Sequence, residues 1–134
     1  AGHVTIENMA TLGGLSAVHQ FVRIGDMAMT GGGAMANLDV PPYCIVEGNR
    51  ASLRGLNLIA MQRRNMPSEI RDVIKKVYKI IFLETHPTLE TALAKISLDM
   101  LAYPEVKKFI EFIKYSKRGV TRPLNSRGSA SADD

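Results

Sequence analysis

The chain has 134 residues, 46% of them hydrophobic, a formal net charge of +4 and a single cysteine. That length and apolar share fit one cored domain, or one domain with a small appendage. The lone Cys44 excludes a disulfide framework and a cysteine-built zinc site and fits a reducing compartment, and no apolar run reaches the ~18 residues of a membrane span.

Residues 1 to about 40 carry a repeat of six. Ile6, Leu12, Val18 and Ile24 form an aliphatic column, with Thr30 and Ala36 continuing it as it decays. Two places earlier runs a second column of Val4, Ala10, Ser16, Val22, Ala28 and Ala34, and Gly13, Gly25 and Gly31 follow the first. Period-two strands would also satisfy a period of six. Two columns in phase with recurrent glycines instead mark a hexapeptide parallel β-helix, in which each hexad supplies one short strand and a tight corner and the coils bury their apolar faces only by stacking. The first residues, AGHVTIENM, have neither the basic start nor the apolar core of a leader. They read as a strand cut from preceding coils, and the chain is expected to be a fragment. Asp39-Val40-Pro41-Pro42 stops the repeat, because proline cannot donate to a ladder. Tyr43 to Val46 reads as one last strand and Glu47-Gly48-Asn49 as a turn.

Beyond residue 50 the period changes to 3.6. Leu53, Leu56, Leu58, Ile59 and Met61 predict a short helix ending at Arg63-Arg64. Ser68 is placed as the cap of a second helix, with Ile70, Val73, Ile74, Val77, Tyr78, Ile80 and Ile81 as its buried stripe. Thr88 caps a third helix carrying Leu89, Leu93, Ile96 and Met100, and Pro104 opens a fourth carrying Val106, Phe109, Ile110 and Ile113. The expected organisation is therefore coils over 1–50, an α-helical domain over 51–119 that covers the end of the coils, and a polar, disordered tail over 120–134.

Charge follows the same division. Residues 1–50 carry −2, from Arg23 and Arg50 against Glu7, Asp26, Asp39 and Glu47, and the remainder carries +6. A basic helical half suits an acidic or phosphorylated partner, or simply a solvated surface.

Few residues offer chemistry. Gly13-Gly14 and Gly31-Gly32-Gly33 lack the lysine and following helix of a phosphate loop and read as corner glycines. His86 lies in an interhelix turn. His3 and His19 are 16 residues apart, and three hexads make a coil of 18, so the two lie on adjacent coils near one edge, where histidine can serve as base or hydrogen-bond donor. A metal would need a third ligand, and none is near; no cofactor is implied. No serine or cysteine stands out as a nucleophile. Arg63-Arg64 near Asn57 match a pyrophosphate, or are cations favoured at a helix C-terminus.

At this point the strings themselves are familiar. Gly13-Gly14-Leu15-Ser16-Ala17-Val18-His19-Gln20-Phe21 is similar to the hallmark G-G-[ML]-[TS]-A-V-H-Q-F of the UDP-N-acetylglucosamine O-acyltransferases of lipid A biosynthesis. Asp39-Val40-Pro41-Pro42-Tyr43 with Glu47-Gly48-Asn49, the stretch from Ala51 to Arg64, and Tyr103-Pro104-Glu105-Val106 also resemble that family, in order, over residues 1 to about 119. The resemblance is to its C-terminal half. It implies a left-handed parallel β-helix followed by a C-terminal α-helical domain, and a homotrimer with sites between neighbouring β-helices. The implied reaction moves an R-3-hydroxyacyl chain from acyl carrier protein to the 3-hydroxyl of UDP-N-acetylglucosamine, in the cytoplasm of a Gram-negative bacterium, with neither nucleic acid nor a membrane span involved.

The same resemblance assigns roles by position. Gly2 matches an oxyanion-hole N–H, and His3 and His19 match supporting histidines; the general-base histidine would lie about one coil before His3, outside this chain. Gln20, Asn57, Arg63 and Arg64 match nucleotide-contacting positions, while Ile59 stands where the family often has glutamate. Met29, Gly32 and Arg50 match the acyl groove, where a glycine leaves room for a long chain. The basic face of Arg71, Lys75, Lys76 and Lys79 is the expected dock for acidic carrier protein. Two other readings compete: a related hexapeptide N-acyltransferase of a UDP-amino sugar, and a non-catalytic trimeric scaffold.

Overall fold

A computed structural model describes residues 2–124. Six two-residue strands open the chain: β1 (Thr5–Ile6), β2 (Thr11–Leu12), β3 (Ala17–Val18), β4 (Arg23–Ile24), β5 (Met29–Thr30) and β6 (Met35–Ala36). The first three pair in parallel with the strand three further on, Thr5 with Arg23, Thr11 with Met29 and Ala17 with Met35. The register is one of 18 residues, the three-hexad coil expected from the repeat, and the strands fall into three sheets. Stacking explains the burial. Val22, Ile24, Ala28, Thr30 and Ala34 of the second coil are 0% exposed, whereas Ile6 and Leu12, with a coil on one side only, are 49% and 41% exposed.

The corners differ from the expectation in one respect. The left-handed backbone falls on a third column, His3, Met9, Leu15, Phe21 and Met27, with φ between 56° and 68°, and only its sixth member, Gly33, is glycine. The glycines that follow the aliphatic column are required for a different reason. A Cβ on Gly13 would lie 2.7 Å from Gly32 N and Thr30 O, and one on Gly25 would lie 2.5 Å from Pro42 N. They are small because the next coil's backbone passes over them.

The last coil is shorter. Strand β7 (Cys44–Glu47) pairs with β5 at a register of 16, Met29 with Ile45. The predicted helix over Leu53 and Leu56 is not formed: Ser52–Leu56 is strand β8, antiparallel to β7, with Val46 opposite Leu53. Gly55 and the alternation of buried Leu53 with exposed Arg54 suit a strand, and the sheet therefore runs past the expected boundary at residue 50. Helix α1 (Leu58–Arg63) begins only after it.

Helix α2 (Ser68–Tyr78) continues into a π-helical turn, Lys79–Leu83, and is followed by α3 (Leu89–Leu93), α4 (Leu98–Leu101) and α5 (Pro104–Lys114). Ser68 is the first helical residue and not the cap; Pro67 holds that place, with no side-chain hydrogen bond. Thr88 does cap its helix, through a reciprocal pair with Thr91, but the predicted third helix is two, because Ser97 caps a new start by accepting from Met100 N. Helices α2 and α5 pack through Ile74, Val77 and Tyr78 against a stripe of Val106, Phe109 and Ile113, and this core is continuous with Ile24, Val40 and Val46 of the coils. Tyr43 joins the two: its ring meets Phe109 edge-on at 5.8 Å and its hydroxyl donates to Glu105 O at 3.2 Å. Burial pushes the Tyr43 hydroxyl and the fully buried Cys44 thiol well above their ordinary ranges, so both stay protonated and neither is a nucleophile.

The tail also differs from expectation over its first five residues. Val120 and Thr121 are 6% and 2% exposed, Val120 bridges Asp39, and Pro123 bridges Leu53. The composition is polar, yet the backbone finds ladder partners on the last coil, and so 120–124 is part of the fold. Residues 125–134 of the expected tail lie outside the described residues. Among the described residues no helix is long and apolar enough to cross a membrane.

The spacing role of the corner glycines is directly testable. Gly25→Ala is expected to destabilise by roughly 2–3 kcal/mol, since backbone must move to admit the methyl. Gly14→Ala, where a Cβ meets nothing within 4 Å, is expected to change stability by less than about 0.5 kcal/mol. Urea unfolding of the two variants compares them; equal losses would refute the account.

Candidate functional site

The three corners of the coil sort the candidate residues. On the first, residues 2–4, 19–22 and 37–39 stack, tied by Thr5 N to Val22 O and Val40 N to Arg23 O. Gly2, His3, His19 and Gln20 all sit here and all are exposed. The His3 ring lies on that of Phe21, centroids 5.0 Å apart and planes 14° from parallel. His19 donates its N–H to Ala36 O on the next coil and its carbonyl accepts from Val22 N in the turn, and the residue is exposed. Gln20 O accepts from Arg118 Nη2 at 2.9 Å.

On the second corner, residues 7–10, 25–28 and 41–43 stack through Met27 N to Asn8 O and Tyr43 N to Asp26 O. Asn57 docks here. Its N–H donates to Tyr43 O, its Nδ2 to Met27 O at 2.9 Å, and its Oδ1 accepts from Ala60 N at 3.3 Å. One side chain thus caps α1 and ties it to the coil. The short helix then presents Arg63 in its last turn and Arg64 as its C-cap, both exposed, and among the described residues neither enters an ion pair. Ile59 stands on the same helix, 64% exposed.

On the third corner, Gly33 N donates to Gly14 O at 2.8 Å and Met35 N to Gly48 O at 2.9 Å. Gly32 and Arg50 are exposed there. Met29, half-buried on β5, lies in the sheet that joins the second corner to the third.

The candidates are therefore not gathered into one place. Gly2, His3, His19 and Gln20 share an edge; Asn57, Arg63 and Arg64 share another; Gly32 and Arg50 lie on the third. On the helical face, Arg71 turns inward and donates to Met66 O at 2.7 Å, and Lys75 lies 3.8 Å from Asp72, leaving Lys76 and Lys79 as the outward cations of that set. Among the described residues no three His, Cys, Asp or Glu groups gather as a metal would require.

Two participants were given no role from the sequence. Phe21 is one, although the coil length of 18 already places it over His3. Arg118 is the other, and nothing local in the sequence marks it, because its partners are 81 and 98 residues away.

Known proteins match along most of the chain. A family model described as UDP-N-acetylglucosamine O-acyltransferase, domain 2, matches residues 39–121. An acyl-[acyl-carrier-protein]–UDP-N-acetylglucosamine O-acyltransferase of Anaeromyxobacter dehalogenans is 46% identical over 122 residues, 91% of this chain and 47% of that protein. One from Nautilia profundicola is 46% identical over 120 residues, 90% of this chain and 46% of its own. The solved UDP-N-acetylglucosamine acyltransferase of Arabidopsis superposes with a TM-score of 0.84 at 32% identity, covering 90% of this chain and 45% of that one. That of Francisella novicida gives 0.83 at 32%, covering 95% and 46%. The chain spans about half the length of the curated relatives it matches.

The double duty of Asn57 predicts a measurable cost. Asn57→Ala loses the cap and the tie to Met27 and is expected to destabilise by about 2 kcal/mol, while Asn57→Asp keeps the cap acceptor and loses about half of that. Denaturant midpoints of the pair check the order.

Proposed function

The chain belongs to the UDP-N-acetylglucosamine O-acyltransferase family, and on that premise we propose that it carries one half of each of two active sites for acyl transfer. The reaction is the movement of an R-3-hydroxyacyl chain from acyl carrier protein to the 3-hydroxyl of UDP-N-acetylglucosamine, the first step of lipid A synthesis, in the cytoplasm of a Gram-negative bacterium. The coils wind left-handed and three chains associate side by side.

The observation that carries this reading is the division of the candidate residues over separate corners. No chain can close His3 and His19 onto Arg63 and Arg64 by itself, but the first corner of one protomer can face the second corner of its neighbour. Each residue then has a task suited to its chemistry. The Gly2 N–H stabilises the oxyanion of the attacked thioester carbonyl. His3, held flat by Phe21, and His19 orient the acyl donor and the sugar. Arg63 and Arg64 grip the pyrophosphate, for which paired guanidinium forks are suited, and Gln20 and Asn57 complete the nucleotide contact. The acyl chain runs along Met29, Gly32 and Arg50, and the open surface at Gly32 admits a long chain. The outward Lys76 and Lys79 steer the acidic carrier protein.

Mixing variants tests the division. His3→Ala and Arg63→Ala are each expected to lower kcat/KM at least tenfold in the protein as its gene encodes it. Co-assembled, they are expected to recover a fraction of wild-type activity, because mixed trimers contain interfaces where both residues are intact. No recovery would place the whole site within one chain and end this reading. Transfer to an amino-sugar nitrogen would favour the N-acyltransferase, and nucleotide binding without transfer the scaffold.

The same assay covers specificity. Long 3-hydroxyacyl donors are expected to outpace short ones, each buried methylene contributing about 0.8 kcal/mol. Reversing Lys76 and Lys79 to glutamate is expected to raise the KM for carrier protein at low salt. Preference for short donors, or an unchanged KM, would refute the respective assignment.

A further inference from the structure

We infer that Arg118, far from the other candidates in sequence, is a positioning residue for the corner that holds His3, His19 and Gln20. The inference rests on the acyltransferase reading and extends it to a residue outside the motifs. Arg118 Nη2 donates to Gln20 O at 2.9 Å and Nη1 to Asn37 O at 3.0 Å. The two carbonyls belong to the same corner on consecutive coils, so one planar guanidinium clamps both.

The clamp acts on the peptide that joins Gln20 to Phe21. Phe21 takes φ 68°, a left-handed conformation unfavourable for a bulky residue. The residue is 59% exposed, and its ring carries the His3 ring. Beside it lies an open cavity lined by Phe21, Arg23, Asp39, Tyr115, Lys117 and Arg118, and the turn's own hydrogen bond, Val22 N to His19 O at 3.2 Å, spans that peptide without holding its carbonyl, which Arg118 does. A rotation would swing the Gln20 side chain one way and the Phe21–His3 stack the other. Holding the Gln20 carbonyl fixes both.

Anchoring of the C-terminal segment is a separate matter, because that segment is held without Arg118. Asp39 N donates to Gly119 O at 2.9 Å and Thr121 N to Asp39 O at 2.8 Å. Ser116 Oγ donates to Asp39 Oδ2 at 2.7 Å, and Gly119 N to Ser116 Oγ at 3.0 Å. What Arg118 alone supplies is the fork over two coils.

The test compares Arg118→Gln, Arg118→Lys and Ser116→Ala in the protein as its gene encodes it. The readouts are kcat/KM for UDP-N-acetylglucosamine, the His3 ring proton shifts of ligand-free protein, and the thermal midpoint. Arg118→Gln is expected to move the His3 shifts, which sense the Phe21 ring current, and to lower kcat/KM about tenfold. Arg118→Lys, reaching one carbonyl, recovers part of both. Ser116→Ala, which loosens the segment but spares the fork, lowers the midpoint and leaves shifts and kcat/KM as in the wild type. Unmoved His3 shifts in Arg118→Gln, a kcat/KM within twofold of wild type, or an equal effect from Ser116→Ala would each overturn the inference. A wild-type protein that acylates no sugar nucleotide would sink the acyltransferase reading instead, and the His3 shifts would still decide whether Arg118 sets this corner.

Discussion

Backbone hydrogen bonding between stacked coils is the constraint on which everything else rests. A two-residue strand has no stability of its own, and each of these finds its partners 18 residues away in the next coil. The stack must be tight at the corners as well as along the strands. That is why Gly13 and Gly25 lie where another chain segment crosses at under 3 Å from a hypothetical Cβ. It is also why bulky Leu15 and Phe21 tolerate a left-handed backbone. The cost at each such residue, about 1–2 kcal/mol, is offset by the ladder bonds that the corner makes available on both sides.

The helices solve the problem that stacking creates at its end. A final coil would present an unpaired ladder and an apolar interior to water. Here β7 turns back through β8, and α2 and α5 add Ile74, Val77 and Phe109 to the same apolar core as Val40 and Val46. Tyr43 spans the seam, its ring in the helical core and its backbone carbonyl taken by Asn57 N. Because Asn57 also starts α1, the position of the arginine pair is set by the same coil that ends the stack. Residues 120–124 complete the cover by running beside Asp39 and Leu53.

A three-sided coil spreads its exposed residues over three edges, and that geometry makes a shared site natural. Each edge can meet a neighbour, so a residue set that is useless on one chain becomes complementary between two. Long side chains from a short, capped helix on one edge can reach across to rings on another. The clamp by Arg118 belongs to the same proposal, since it holds the backbone of that corner from within one chain.

The sequence by itself determined the coil, because a period of six in two columns leaves few other ways to bury Val22, Ile24 and Ala34. It also determined which residues share an edge with His3, since a coil of 18 follows from three hexads. It determined the stripe of α5, the cap at Thr88 and the helix start at Pro104, which depend on neighbours within four residues. What it left open depends on partners far along the chain. Ser52–Leu56 reads as helix from its leucines and becomes strand because Cys44–Glu47 is there to pair with it. Val120 to Leu124 reads as solvated and becomes ordered because Asp39 and Leu53 offer free backbone. Arg118 carries no local signature at all. Only the tertiary structure, which brings residues 20, 37 and 118 to one corner, gave it a role.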